Sequence, residues 1–490
     1  MITVFLLAWP LLAALLLFVL KPGNAKVFAL VASLVELAAS LMMAVQFQKT
    51  AVPQFDVNVY WIKSLGIHFS VGVDGISLLL ILLTTVLVPF IILSSFSKSY
   101  DKQSTFYGLI LIMQMALIGV FTALDGFLFY IFWELALIPI YFICLIWGGE
   151  NRGVITLKFF IYTLAGSLLM LVALVYLYFQ TPGTHTFDIE ALYIAGQGST
   201  DYEQGLIFWA MFVAFAIKMP VFPFHTWQPD TYTTAPTQGT MLLSAIMLKM
   251  GIYGLIRWMI PLVPIGVQDW GFVAVILSVI GMVYASCIAI IQKDFKRLIA
   301  YSSIAHVGLI AAGLLTITIS GIQGAMIQML SHGILVFALF YIVDIISDRT
   351  RTRSLSELGG IRNVAPALTT VFIIVMLGTV ALPITSGFVG EFLLIRSLVE
   401  YHFMLGAIAG LTIILGAIYM LRTFQKAMSG ETNAVTSSFT DLTTQEKWVL
   451  YPIVILIFAM GIYPAPLLEI SEAASANIVN LFSAYADSIK

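Results

Sequence analysis

Apolar residues run along this chain in blocks too long for a soluble core. Runs of about 18 or more residues, bounded by polar or charged positions, mark candidate membrane spans. About fourteen can be drawn: 2–20, 26–47, 74–95, 104–122, 124–146, 155–180, 204–238, 239–260, 270–292, 297–317, 322–346, 366–403, 404–424 and 448–470. Two of them, 204–238 and 366–403, are too long for one straight helix and too short for two. Each carries its own interruption. In FAIKMPVFPFHTWQPD (Phe215 to Asp230), Lys218 is followed by Pro220, Pro223 and Pro229. In LPITSGFVGEF (Leu382 to Phe392), Pro383 and Gly387 precede Glu391. Proline removes a backbone donor and opens a helix. Freed carbonyls can hold water, but only where they line a cavity and not lipid. Each long run is therefore predicted to be one broken crossing.

Two connections have patterns of their own. Asp56 to Val73 alternates loosely and is rich in Val, Ile and aromatics, which predicts a short extracytoplasmic β-hairpin. Ser429 to Thr444 is rich in Ser and Thr and reads as a flexible inner connection.

Composition agrees with a membrane protein. Of 490 residues, 60% are hydrophobic and 10% charged, against roughly 25% charged in a soluble domain. The net charge of -2 gives no reason to expect nucleic acid. Ile2 to Leu20 lacks a basic n-region and has no A-x-A site before Lys21, so it reads as a retained first helix. Cys144 and Cys287 lie in apolar runs and read as buried thiols.

Orientation follows from Lys and Arg in the short loops. Alternate loops hold 16 of the 23 basic residues. The opposite loops hold only Lys49, Lys63 and the terminal Lys490. The loop from Thr181 to Gln204 has four acids and neither Lys nor Arg. Both termini are then expected on the outer side. The runs also fall into two sets of five, about 104–260 and 270–424, each with a broken member. An odd number per set makes the second enter from the opposite side, the arrangement of inverted repeats. The expected organisation is 1–103 with the hairpin, 104–265 and 266–428 as the two repeats, and 429–490 as inner loop and last helix. The fold class is thus all-α and polytopic.

The few charges inside the runs are the candidate chemistry, because a central charge costs about 2.5–3.5 kcal/mol on insertion scales. Glu134 in YIFWELALIP has no Lys or Arg within a helical turn. It is either a structural hydrogen-bonding group or a titrating carboxylate with a cation on another helix, and Lys218 is the candidate cation. Lys249 lies mid-run with apolar residues for two turns each way. His306, His332 and Glu391 follow in the second set, with Ser302, Ser303 and Ser331 as hydroxyl stepping stones. Asp74 reads as a helix cap. Arg257 is expected to snorkel to the outer face. Arg396 is either the partner of Glu391 or a gate. Asp230 and Asp344, near inner ends, are candidates for proton uptake, and His225 lies in the break itself. The scattered His and Glu form no H-x3-H or E-x-x-H pair, which disfavours a metal site. No phosphate loop or dinucleotide fingerprint is present.

These residues resemble the antiporter-like membrane subunits of respiratory complex I, in particular their M type (chain 4). The stretches that carry the resemblance are FWELALIP (132–139), KMPVFPFHTWQPD (218–230), APTQGTMLLSAIMLKMGIYGLIR (235–257), DFKRLIAYSSIAHVG (294–308), SHGILVFALFYIVD (331–344) and GFVGEF (387–392). The resemblance implies a fourteen-helix fold with two inverted five-helix repeats and a role in proton pumping. Glu134, Lys218, Lys249, His306, His332 and Glu391 would form the relay. Glu391 matches the acid of the M type, where the L and N types and the sodium/proton antiporter relatives usually have lysine. No cofactor is implied in this chain; NADH, FMN, iron–sulfur clusters and quinone would belong to partner subunits. The implied partners are L- and N-type neighbours and the hydrophilic arm, in a bacterial inner membrane. A subunit of a multi-subunit sodium/proton antiporter is the alternative. In place of the common LPDAHTEAPT this chain reads QPDTYTTAPT (228–237). Tyr232 and Thr234 therefore cannot carry any uptake role of the usual His and Glu.

Overall fold

The computed structural model describes residues 1–21 and 23–488, with side chains as far as Tyr485. Lys490, counted above among the outer charges, lies outside the described residues. The chain begins with α1 (Ile2–Leu20) and α2 (Ala25–Gln46), followed by an antiparallel hairpin of β1 (Gln54–Ile62) and β2 (Ile67–Val73). Then come α3 (Gly75–Ser94), α4 (Gln103–Thr122), α5 (Gly126–Leu135), α6 (Leu137–Trp147) and α7 (Arg152–Gln180). Short α8 (Ile189–Gln197) precedes the halves of the first broken segment, α9 (Asp201–Lys218) and α10 (Gln228–Thr234). The second part has α11 (Thr237–Leu262), α12 (Pro264–Ile291), α13 (Phe295–Leu314) and α14 (Ile319–Thr350). The second broken segment is α15 (Pro366–Thr379) and α16 (Ser386–Tyr401), and α17 (Phe403–Met428), α18 (Thr444–Ile462) and α19 (Ala465–Ser488) follow.

Among the described residues, twelve helices are long and apolar enough to cross a membrane, counting α5 and α6 as one. The interruption between that pair at Ala136 has a simple cause: Pro139 cannot donate to the carbonyl of Leu135. The apolar windows of α11 and α14 are wholly buried, whereas α7, α17 and α18 turn most of theirs outward. Lys249 and His332 thus sit on the two helices that lipid does not reach. The hairpin forms where alternation predicts it, with Val59 opposite Phe69. Thr3 Oγ1 donates to Phe55 O (2.7 Å), and His68 N donates to Asp125, the cap of α5 (3.0 Å).

Three expectations need correction. The connection after α17 is not a loose tether. Gly360 N donates to Ser429 O (2.9 Å), Thr436 Oγ1 to Gly359 O (2.7 Å) and Asn433 Nδ2 to Glu357 O (2.9 Å). The last apolar run ends at Ile462, not 470, and α19 then packs back onto α3 and α14. Cys144 is buried as expected, but Cys287 is exposed, because its side of α12 faces outward.

Asp441 shows how the docked connection is held. Its carboxylate accepts from Ala367 N (2.9 Å), Leu368 N (3.0 Å) and Leu442 N (2.8 Å). Partial burial pushes its pKa up, but these amides and Lys447 outweigh it and hold the carboxyl below the usual range. A depressed folded-state pKa gives stability above the unfolded value that is lost as pH falls through the folded one. Asp441→Ala is expected to speed hydrogen exchange of the first turn of α15 about fivefold, the effect of a lost cap of about 1 kcal/mol. Unchanged exchange at Ala367 and Leu368 would contradict this.

Candidate functional site

The first break is built by the backbone. α9 starts with a capping box of Thr200 and Glu203 and ends at Lys218. Met219 N donates to Phe215 O (2.8 Å) and Val221 N to Ala216 O (2.9 Å). Trp227 Nε1 donates to Ile217 O (2.9 Å). Pro220 deprives Ala216 O of its usual donor, and Val221 N, diverted to Ala216 O, leaves that of Ile217; both carbonyls are nevertheless satisfied by protein and not left for water. The second break has the same spacing of bonds: Val380 N to Met376 O (3.0 Å) and Leu382 N to Leu377 O (3.0 Å). In this register Thr379 stands where Lys218 stands, and Glu391 where Asp230 stands.

Lys218 is 2% exposed, and its Nζ lies 5.3 Å from the centroid of the Trp133 ring, a cation–π distance. Glu134 acts on it electrostatically. Among the described residues, however, the two do not form an ion pair within contact distance, and Glu134 Oε1 is buried without a hydrogen-bond partner. The expected Glu134–Lys218 contact is thus not made; Lys218 Nζ stands over the ring of Trp133, the residue before Glu134. The reason is the break: Lys218 is the last residue of α9, and its side chain is carried toward Trp133.

Lys249 follows a π-helical turn, Leu242–Met247, in which Leu248 N reaches back to Leu243 O (3.1 Å). Such turns widen the helix and recur at functional sites. Here the ammonium reaches the carbonyl five residues before it, Ser244 O (2.8 Å), and also His332 Nδ1 (2.9 Å). Glycine brings α9 against this turn. A Cβ on Gly251 would lie 2.8 Å from Phe215 O and 3.0 Å from Met219 Cβ. Gly251→Ala is expected to displace the Lys218 turn and destabilise the protein by about 1–3 kcal/mol through overpacking. Thermal unfolding of the purified variant checks this, and an unaltered transition would contradict it.

Beyond Lys249 the predicted residues meet in line. His306 and His332 have ring centroids 5.9 Å apart, and His306 Nδ1 lies 2.9 Å from Glu391 Oε1. Gln328 Nε2 also donates to that oxygen (3.3 Å). With Lys249 as the ammonium, which only donates, His332 accepts at Nδ1 and carries its proton on Nε2. His306 donates from Nδ1 to the carboxylate, which leaves its Nε2 as an acceptor in the neutral ring. Both Nε2 atoms, together with Ser303 Oγ and Gln328 Oε1, are buried and have no hydrogen-bond partner. All four residues line one cavity of about 10 Å³, the size of roughly one water. A second small cavity joins His306 to Glu391, Thr379 and Tyr419.

The remaining candidates separate. Asp230 pairs with Lys158 (3.1 Å) and Arg297 (3.0 Å), and Asp344 with Lys98 (2.5 Å) and Thr237. Thr237 and Thr234 line a cleft of about 630 Å³ with Lys98, Lys296 and Arg353. Arg396 pairs with Glu400 (2.8 Å) on an exposed face, so it is not the partner of Glu391. Asp74 caps α3 as expected through Ser77 N (2.9 Å). Arg257 does not snorkel but binds Asp74. Ser302 meets Tyr419 OH (3.0 Å) and Ser331 meets Ser386 Oγ (2.8 Å). His225 is buried against Phe222 and Tyr284, and the Tyr232 hydroxyl is buried without a partner. Sequence reasoning missed Glu36 on α2, fully buried with both carboxylate oxygens unpartnered, and Gln114 on α4 in the same condition. A lone acid inside an apolar run was the available signal for Glu36.

The family model described as NADH:quinone oxidoreductase/Mrp antiporter, TM, matches residues 123–416, which contain all six predicted site residues. The NADH-quinone oxidoreductase subunit M of Rickettsia conorii is 38% identical over 94% of this chain and 94% of its own length. The F(420)H(2) dehydrogenase subunit M of Methanosarcina mazei is 39% identical over 96% of this chain and 97% of its own. Among solved structures, a chain of respiratory complex I from Thermus thermophilus with bound NADH superposes with a TM-score of 0.89 at 28% identity, covering 98% of this chain and 100% of that one. The chain is a multi-pass membrane protein and belongs to the NADH:quinone oxidoreductase/Mrp antiporter membrane family, on its subunit M branch.

Proposed function

We propose that this chain is the proton-translocating M-type subunit of an NADH–quinone oxidoreductase, with Lys218, Lys249, His332, His306 and Glu391 as its relay. The observation that carries this reading is the arrangement between two hydrogen-bonded pairs, Lys249–His332 and His306–Glu391. A donor, His332 Nε2, and an acceptor, His306 Nε2, border the same small cavity without partners. One water there would join them and draw its other bonds from Ser303 and Gln328. A proton arriving at Lys249 would pass to His332, across to His306 and on to Glu391. Lys218 against Trp133 is the displaced arrangement of the Glu134–Lys218 pair. Its return to Glu134 would be the electrostatic step that signals from neighbouring subunits control. The inner cleft at Thr234 and Thr237, with Asp344 at its edge, is the proposed place of proton uptake.

The matching bonds at the two breaks support two inverted repeats within 104–265 and 266–428, flanked by 1–103 and 429–490. With each broken segment counted as one crossing, and α8 and α19 left aside, the crossings among the described residues total fourteen. Both termini then lie on the outer side of a bacterial inner membrane. L- and N-type subunits are the proposed neighbours, and NADH, FMN, iron–sulfur clusters and quinone reside in other subunits. The alternative, a sodium/proton antiporter subunit, is less well supported, since relatives at 38–39% identity over nearly the whole chain are M subunits.

Ser303→Leu tests the relay by filling the cavity between the histidines. Proton translocation per NADH in vesicles bearing the assembled complex is expected to fall about tenfold, within the range of a lost proton-transfer contact. Full translocation in that variant would overturn the reading.

A further inference from the structure

The helix that carries Lys249 bears a second line of polar groups, on its outer side, that the relay does not use. Lys249, Tyr253 and Arg257 are spaced i, i+4 and i+8 and share one face of α11. A second π turn, Leu255–Met259, surrounds Arg257. Its largely buried guanidinium is held at two points. One terminal nitrogen donates to Asp74, which is 2% exposed, and Nε donates to Tyr253 OH (3.3 Å). Tyr253 OH in turn donates to Phe121 O at the end of α4 (3.0 Å) and lies 3.5 Å from Ser77 Oγ. Tyr193 OH of α8 donates to Arg257 O (2.6 Å). α19 roofs the same corner so closely that a Cβ on Gly75 would meet Ile470 O at 1.8 Å.

We propose that the Arg257–Asp74 pair is an outer plug over Lys249, which leaves His332 as the only way out for a proton held there. The proposal rests on the reading of Lys249 as a relay group. Three properties make the pair suitable. Arginine stays protonated, so it cannot receive a proton from below and release it above. Its fixed positive charge lies roughly 12 Å along the helix from Lys249 and opposes an approaching proton. Asp74 keeps it there: an arginine without a buried counter-ion would extend to the outer surface and leave the passage to water. Proton movement from Lys249 is thereby directed sideways into the second half.

The test uses the whole complex in sealed vesicles, with a pH-sensitive dye inside and no NADH. Asp74→Asn keeps the α3 cap, since asparagine caps as well as aspartate, but removes the counter-charge. Arg257→Gln removes the cation. In both, an imposed pH difference is expected to decay about tenfold faster than in the parent complex, while quinone reduction persists and protons moved per NADH fall. Adding Lys249→Met is expected to abolish the leak, because the leak runs through Lys249. Arg257→Lys guards against a trivial folding defect: it preserves the ion pair, yet a buried lysine can exchange its proton, so it too is expected to leak. Tight vesicles with all three single variants would overturn the plug, as would a leak that survives Lys249→Met. If Lys249→Met alone leaves pumping intact, the relay reading fails, whatever the leak shows.

Discussion

Lys249→Met in the assembled complex is expected to cut NADH-driven proton translocation by about 10²-fold, the scale of a removed proton-transfer group. Methionine nearly fills the space of the lysine stem and is flexible enough to pack there. The change therefore removes chemistry and leaves little void. What it removes is the single group that contacts both Ser244 O and His332 Nδ1. Because α11 is buried along its whole apolar window, bulk water has no direct route to replace it. Pumping and quinone reduction should be measured together. A variant that pumps at half the parental rate or better would show that protons bypass this residue.

Glu391→Lys tests the feature that separates this chain from the L and N types it resembles. Lysine there would be conservative if the position only needed a titratable group. The geometry argues otherwise, because Glu391 Oε1 lies 2.9 Å from His306 Nδ1. An ammonium in its place cannot accept from His306 Nδ1, and whenever the relayed proton charges His306 the two cations would repel by about 4 kcal/mol at about 4 Å and an effective dielectric near 20. His306 would lose its acceptor and turn away, and Gln328 would lose the oxygen its amide donates to. Translocation is expected to fall by about 10²-fold, with assembly retained. Glu391→Asp should keep most of the pumping. Parental pumping in Glu391→Lys would mean that the His306 contact is dispensable.

Much of the architecture was legible in the order of residues, and the limits have physical causes. Long apolar runs announce helices because a bilayer core sets their length. Pro220 and Pro383 announce the breaks because proline lacks a donor, and alternation in 56–73 announces the hairpin. Pairings between helices were not legible. Arg257 and Asp74 are 183 positions apart, and nothing local tells an arginine near a helix end whether a counter-ion awaits it. The same applies to His306 and Glu391, whereas the Arg396–Glu400 pair is an i, i+4 pair on one helix and could have been read locally. The π turns around Lys249 were invisible because a π turn differs from an α turn by one residue of hydrogen-bond spacing, not by a distinctive composition. The docked connection after α17 was misjudged because Ser and Thr mark both loose linkers and side-chain caps; here they cap.

The complete burial of α11 and α14 has a consequence for how the protein is made. A helix with a lysine or histidine at its middle is a poor occupant of lipid on its own. As the chain emerges, α11 is inserted before α14, whose residues around His332 supply the partners of Lys249 and of the first π turn. It must wait at the insertion machinery or against the earlier helices α3, α4 and α9 until those partners arrive. Variants that slow the later helices would therefore betray themselves first as degraded nascent protein, with α11 as the exposed degradation signal, before any defect in pumping could be measured.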